Sequence, residues 1–388
     1  MSEITRGAII IEGHVQGLSN VRSLGEMGVP VFVIDKNDCI ARYSKFCRKF
    51  FRCPDYYSEE FVDFLVGLAK KEAISEWLLL PSNDHAVYNI SKNKKQLEKY
   101  YKVVTPDIEI VERIYDKVSL LEVSQRAGVP IPSTQCFIQI DEPVGKELAF
   151  PILTKGRNGL SFYKALGKKA FLARNESELR EQLKTISEKY YLNGTFSQEL
   201  IPNDGSNKTL SLAAFCENGE IMSYWMGAKI REHPIDFGTA TYTRSVLVPE
   251  CLENSKILLK ELNYTGVCEV EFLRDPRTNE YKLIEINART WLWVGHARAC
   301  GVDFAKYAYN FINNIPTVYP TNYKIGLGWF NPFTDLVFSV IGILKGQIKV
   351  KEYISTLCTK RINALFYKSD NKPAFAYLFK IFFFVTNR

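Results

Sequence analysis

Glu269 and Glu271 stand two positions apart in CEVEF, so a strand carrying them turns both to one face and Val270 and Phe272 to the other. In LIEINAR, Glu285 and Asn287 share a face in the same way, with Ile284 and Ile286 opposite. The intervening DPRTN reads as a turn, and a tight hairpin brings Glu271 near Glu285. Carboxylates that face each other across a sheet repel unless a cation lies between them. Two carboxylates and an amide oxygen are hard donors, suited to a Mg²⁺ that also holds substrate phosphates. A solvated strand face, with Arg289 paired to one acid, satisfies the same pattern. Spacing alone leaves both readings open.

Other segments carry weaker signals. Lys155 follows FPILT and precedes GRNG, where a strand-end lysine beside a glycine-containing turn either holds phosphate or simply meets water. The GxxxxGK[ST] pattern of a P-loop is absent. Lys117 in IYDKVSLL is a weaker candidate of the same kind. In FSQELIPNDG, Gln198 and the backbone near Leu200 can meet an adenine edge, and Asp204 can accept from a ribose hydroxyl. A plain strand and turn is the alternative. GAKIREHPIDFGTATYTRSV holds Lys229, Arg231 and Arg244, as a solvated basic loop or as an anion site, since a guanidinium suits carboxylates and phosphates. With four histidines, no CxxC and no GxSxG, neither a structural zinc nor a serine or cysteine nucleophile is expected.

These residues need elements to position them. AIIIE and VFVID are short apolar runs, and Leu18–Gly28 between them has helical spacing ending at glycine. This β-α-β unit begins a parallel sheet. A helix over Phe61–Lys70, a buried strand over Trp77–Leu80 and a polar helical segment follow. Residues 1–110 therefore read as one doubly wound α/β domain. Ile110–Gly128 reads as helices and Leu179–Tyr190 as an amphipathic helix. Strands are expected over Phe150–Thr154, Phe196–Ile201, Leu210–Cys216, Ile221–Ala228, Cys268–Arg274 and Tyr281–Asn287. The fold class is thus α/β followed by α+β, in several units.

Taken in order, these segments resemble the ATP-grasp superfamily and within it the carboxylate–amine ligase group, with similarity to D-aspartate ligases and biotin carboxylase. The resemblance runs from about residue 7 to 310. It rests on AIIIEGHVQGLSNVRSLGEMGVPVFVID, LLLPSNDHAV, DKVSLLEVSQRAGVPIP, FPILTK, SQELIP, GAKIREHPIDFGT and VEF, and most specifically on EINAR. It implies an ATP-grasp fold behind a pre-ATP-grasp domain (1–110), with a central subdomain (111–195) and a C-terminal subdomain (196–317). It further implies that Lys117, Lys155, Gln198, Glu199, Leu200, Ile201 and Asp204 bind ATP, and that Glu271, Glu285 and Asn287 hold Mg²⁺, with Mn²⁺ as an alternative. Lys229, Arg231 and Arg289 would meet phosphate or the acyl intermediate. The implied reaction joins a small-molecule or glycan-linked carboxylate to an amine through an acylphosphate, releasing ADP. The loop after Lys155 departs from the family in being poorer in glycine than many phosphate lids.

Three rivals stand beside this. A nicotinamide-dependent oxidoreductase fits the first β-α-β unit, but EGHVQG lacks GxGxxG. A non-catalytic nucleotide-binding scaffold would lack the metal side chains. An ATP-grasp enzyme with another acceptor, such as bicarbonate or a phosphorylated sugar, is the nearest.

Composition bounds the rest. The 388 residues are 46% hydrophobic and 24% charged, ordinary globular values that suit two or three packed units. Nine scattered cysteines fit a reducing cytoplasm, and MSEITRGAIII lacks the basic and apolar regions of a signal peptide. The net charge of +7 lies wholly in residues 318–388, which hold ten basic and three acidic residues. A neutral body is no nucleic-acid surface. This last segment is expected as a basic, aromatic helical tail extending beyond the family core. Its aromatics either pack on the body or settle with the lysines at the inner face of an anionic membrane.

Overall fold

The computed structural model describes residues 6–204, 208–235, 238–368 and 370–386, excluding the side chains of Leu160 and residues 381–386. The aromatic side chains of Phe382–Phe384, counted in the expected tail, therefore lie outside the described residues.

The first apolar runs become strands buried on both faces, as a parallel sheet covered by helices requires. The chain runs β1 (Ala8–Ile11), α1 (Val15–Glu26), β2 (Val31–Asp35), β3 (Cys47–Arg52), α2 (Glu60–Lys71), β4 (Trp77–Pro81), α3 (Asp84–Lys92), α4 (Lys94–Leu97) and β5 (Tyr101–Val103). All pairs are parallel, in the order β3-β2-β1-β4-β5. In such sheets ligands bind outside the carboxyl ends of the strands where the order reverses. Here that crevice opens beyond β1 and β4, at Glu12 and at Ser82–Asp84.

Two helices, α5 (Ile108–Tyr115) and α6 (Lys117–Arg126), lead to a second sheet. It contains β6 (Thr134–Gln135), β7 (Ile152–Gly156), β8 (Ala170–Ala173) and β9 (Thr195–Glu199), antiparallel in the order β6-β9-β7-β8. Helices α7 (Gly159–Leu166) and α8 (Glu176–Ser187) supply Phe162, Leu179, Leu183 and Ile186 to its core.

The third sheet follows with β10 (Leu210–Glu217), β11 (Glu220–His233), β12 (Thr239–Ser245), α9 (Pro249–Glu261), β13 (Gly266–Arg274), β14 (Tyr281–Asn287), α10 (Val294–Cys300) and α11 (Phe304–Ile312). One face buries Leu212, Ala214, Val270, Phe272 and Ile286 with α9. Helices α5 and α6, which the sequence assigns with the central subdomain, bury Val111, Ile114, Leu120 and Val123 in this same core. The other face, at Ala213, Phe215 and Trp225, shares a core with α1, α10 and α11.

Residues 318–388 differ from the expected helical tail. They comprise β15 (Gly328–Phe330), α12 (Pro332–Leu344), α13 (Val350–Leu357), β16 (Arg361–Asn363) and α14 (Lys372–Thr386). β15 pairs antiparallel with β12 and parallel with β16, so the third sheet has seven strands, ordered β14-β13-β10-β11-β12-β15-β16. Leu365 and Ala374 are fully buried in the core shared with the first sheet. The reason is electrostatic as well as apolar. Asp370 lies buried 2.8 Å from Arg22 of α1, and Asp335 lies buried 2.7 Å from Arg231 of β11. Two of the segment's three acids are thus spent on the body, Lys380 pairs with Asp38 of the body, and Lys345, Lys349, Lys351 and Lys360 are exposed.

Candidate active site

Alternation along β13 and β14 does what the spacing predicts. Glu269 faces Asn287, and Glu271 faces Glu285, in antiparallel register. Each opposed carboxylate is met by a lysine from another element. Lys229 Nζ of β11 donates to Glu271 at 3.1 Å, and Lys117 Nζ at the start of α6 donates to Glu285 at 3.5 Å. Lys155, near the end of β7, lies close enough to Lys117 and Glu285 to feel both charges. On the other side, Asn287 Nδ2 donates to Glu269 at 3.1 Å, while its Oδ1 accepts from Arg289 at 3.1 Å. Arg289 in turn clamps Asp84 through Nε at 2.6 Å and Nη2 at 3.1 Å. A buried set of hydroxyls and amide fixes this corner: Asn20 Nδ2 donates to Thr290 at 2.9 Å, and the Ser82 and Thr290 hydroxyls bond at 2.8 Å. The result is one row of charge, running from Lys155 to the crevice of the first sheet.

Burial and mutual charge set the protonation along the row. Burial, joined by Glu271, pushes the Glu269 carboxyl up to about 8. Burial also raises Glu271, against the pull of Lys229. For Glu285 the balance reverses: burial opposes its charge, but Lys117, Lys229 and Arg289 outweigh it and hold the carboxyl below its ordinary value. Lys155 is pushed down to about 8, by burial and then by the Lys117 charge. Burial works against Lys229 too, yet Glu271 and Glu269 keep its pKa well above that of a free lysine.

The donor set fits a hard cation. Glu271 and Glu285 oppose like charges, and Glu269 is buried beside Glu271, so that burial and then the Glu271 charge raise its pKa. Among the described residues no three acidic, histidine or cysteine side chains converge into a cage of their own. Mg²⁺ is held by one or two carboxylates together with substrate phosphates, and Glu271 and Glu285 offer such a pair.

The remaining predicted residues are distributed differently. β9 pairs with β7 so that Gln198 sits opposite Leu153, and its Nε2 donates to Thr134 at 3.0 Å. The Glu199 carboxylate is held by Lys282 at 2.8 Å and Arg277 at 2.6 Å, and the Leu200 N–H donates to the Pro151 carbonyl at 2.8 Å. Ile201 is buried, and Asp204 lies 3.5 Å from Arg274. Arg231 is not brought into the row. Lys229 pairs with Thr243 but Arg231 with Tyr242, because β11 carries an extra residue between them. That bulge turns the two side chains to opposite faces. Arg231 grips Asp335 in a bidentate pair, donates to Thr356 and lies over the Tyr242 ring. Asp236 and Phe237 of the same motif lie outside the described residues.

Two further participants are not among the candidate residues that the sequence marks. One is Asp84, the first residue of α3; the other is Glu12. It follows β1 at a φ of 73°, accepts from Gln16 at 2.9 Å and Asn83 at 3.2 Å, and has its pKa raised, chiefly by burial. The available signal was their position just past β1 and β4, where a doubly wound sheet opens its crevice.

Residues 240–314, which carry β13 and β14, match the family model described as the carbamoyl-phosphate synthase L chain, ATP binding domain. The chain is similar to the D-aspartate ligase of Enterococcus faecium (strain Aus0004), with 28% identity over 244 residues, 59% of this chain and 58% of that protein. The match therefore spans less than two thirds of that relative. Among solved structures, the fold is similar to a biotin carboxylase–beta-gamma-ATP complex from Campylobacter jejuni, with a TM-score of 0.65, 16% identity, 84% of this chain and 75% of that one covered. It is similar also to an L-amino acid ligase from Bacillus licheniformis, with a TM-score of 0.61, 13% identity, and 82% and 76% covered. The fold and the matched strand pair are thus similar to those of ATP-grasp proteins, and the chain is similar in sequence to a ligase among them.

Proposed function

We propose that the chain is an ATP-dependent ligase that joins a carboxylate to an amine through an acylphosphate, releasing ADP and phosphate. The observation that carries this reading is the Glu271–Glu285 pair, opposed across two strands and matched by lysines from two other elements. Glu271, Glu285 and Asn287 would hold Mg²⁺ or Mn²⁺, which supplies neutralisation of phosphate charge when bound. Lys117 and Lys155 hold the phosphate chain from the side of the second sheet. A substrate carboxylate oxygen attacks the γ-phosphorus as the bond to ADP breaks. The amine nitrogen then adds to the acyl carbon, phosphate leaves and the nitrogen loses its proton. Arg289, fixed by Asp84 and Asn287, offers its charge to the oxyanion of that addition. Glu12, with Asp84 held by Arg289, lines the crevice from which the amine would approach. The similarity to a D-aspartate ligase supports an amino acid as one of the reactants. The nine unpaired cysteines support a reducing, cytoplasmic setting.

The experiment is ADP release across panels of carboxylates and amines, with hydroxylamine added to trap the acylphosphate. A hydroxamate and ADP are expected. Release of AMP and pyrophosphate, or no turnover with any acid, overturns the reading.

A further inference from the structure

Helix α12 lies with its polar side inward. Asp335, Ser339 and Gly342 are its buried residues, with Asp335 gripped by Arg231 and Gly342 closed over by Ile348. Leu336, Val337, Val340, Ile341 and Leu344 recur at i, i+4 and i+8 on the opposite side and are exposed, Leu344 by 81%. A helix on a globular body ordinarily turns its apolar stripe to the core. Helix α13 repeats the inversion. Thr356 is its buried residue, beneath Arg231, while Val350, Ile354 and Leu357 are exposed. Because Asp335 and Thr356 meet at the same guanidinium, the two outward faces stand side by side. Contiguous apolar surface of this kind marks a place that something covers.

The charges around it say what. Lys345, Lys349, Lys351 and Lys360 are exposed at the ends of the two helices, and Glu352 is the one acid between residues 336 and 369. A second copy docked face to face would set these lysines against their own equivalents. An anionic lipid surface neutralises them while its acyl boundary takes the valines and leucines. We infer that α12 and α13 lie flat on an anionic membrane surface as an in-plane anchor. They do not span it: among the described residues no helix is long and apolar enough to cross a membrane. The anchor does not depend on which reaction the site performs.

The test is co-sedimentation of the full chain with vesicles of phosphatidylcholine alone and of phosphatidylcholine with phosphatidylglycerol in equal parts. The chain is expected to sediment with the anionic vesicles and to be released by salt. Replacing three lysines together (Lys345→Gln, Lys349→Gln, Lys351→Gln) should weaken partitioning on the order of a hundredfold, at about a fivefold step per charge. The pair Val340→Glu and Leu344→Glu should abolish it, with the circular dichroism spectrum unchanged. Equal binding by the lysine variant, or no binding of the parent chain to anionic vesicles, overturns the inference. So does a parent chain that ignores vesicles but dimerises, and becomes a monomer in the Val340→Glu, Leu344→Glu variant: the cover is then a second copy.

Discussion

The β13–β14 face and the α12–α13 surface each place side chains where folding alone would not. On the first, Glu269 is 2% exposed and Glu271 and Glu285 face each other at one register position. Taking a carboxylate out of water costs several kcal/mol unless partners compensate. Lys117, Lys229 and Arg289 compensate in part, and two carboxylates still oppose. On the second, leucines and valines meet water although each is worth about 2 kcal/mol when buried. The interior face is polar where it could be apolar, and the outer face is apolar where it could be polar. Local departures of this sort concentrate at functional sites. On the two proposals, the first region would be completed by a polyanion with its cation and the second by an anionic apolar surface. The contrast teaches where to look: the sites are the places at which the free chain is least comfortable.

The largest way to break the comparison is at the opposed carboxylates. Glu285→Gln keeps the shape and removes a charge. ADP-forming turnover should fall about a thousandfold, while the melting temperature holds or falls slightly, because Lys117 loses its paired charge even as the repulsion with Glu271 is relieved. A variant that retains turnover within tenfold would reduce the row to a structural ion-pair network. Next in size is Arg289→Lys, which keeps the charge but loses the bidentate grip on Asp84. A loss between about a hundredfold and a thousandfold in turnover is expected, with ATP affinity almost unmoved.

Arg231→Met sharpens the contrast from the other side of β11. It leaves Asp335 buried without its partner and should lower unfolding stability by about 3 kcal/mol in urea titrations, with kcat unchanged. A fall in kcat at constant stability would instead return Arg231 to the active site.

The smallest expected effect comes from Lys155. With its pKa pushed down to about 8 in the free chain, it is charged below that pH and neutral above it. A bound phosphate raises the pKa again, so ATP binding above pH 8 takes up a proton. Affinity for metal-free ATP should therefore be flat below pH 8 and fall by up to tenfold per pH unit above it. Calorimetry in buffers of differing ionisation heat measures the proton, and Lys155→Arg should remove the pH dependence.

Much of the architecture was legible because it depends on local periodicity. The runs AIIIE, VFVID and WLLL specified buried parallel strands, and β13 and β14 appeared close to the expected residues. The facing of Glu271 and Glu285 followed from a two-residue period and a short turn, both local. Arg231 stands apart from Lys229 for a physical reason. A bulge is a property of two strands in register, and one extra residue in β11 reversed the alternation that the sequence displays. Asp84 and Glu12 could not be joined to Arg289, because only the packing of the first sheet on the third brings together residues 205 and 277 positions apart.

The last segment divides the two kinds of information most plainly. Its charge is a sum over residues, so the excess of ten basic over three acidic side chains was fixed by composition before any folding. Which of those charges reach the surface was decided elsewhere. Arg22 of α1 and Arg231 of β11 draw Asp370 and Asp335 into the body, and β12 offers an open edge that β15 completes. Those partners are tens to hundreds of residues away. Sequence alone determines what a helix would bury if it were free to choose. Tertiary structure decides which side it must bury, and on α12 a buried arginine that needed its aspartate outweighed the apolar stripe.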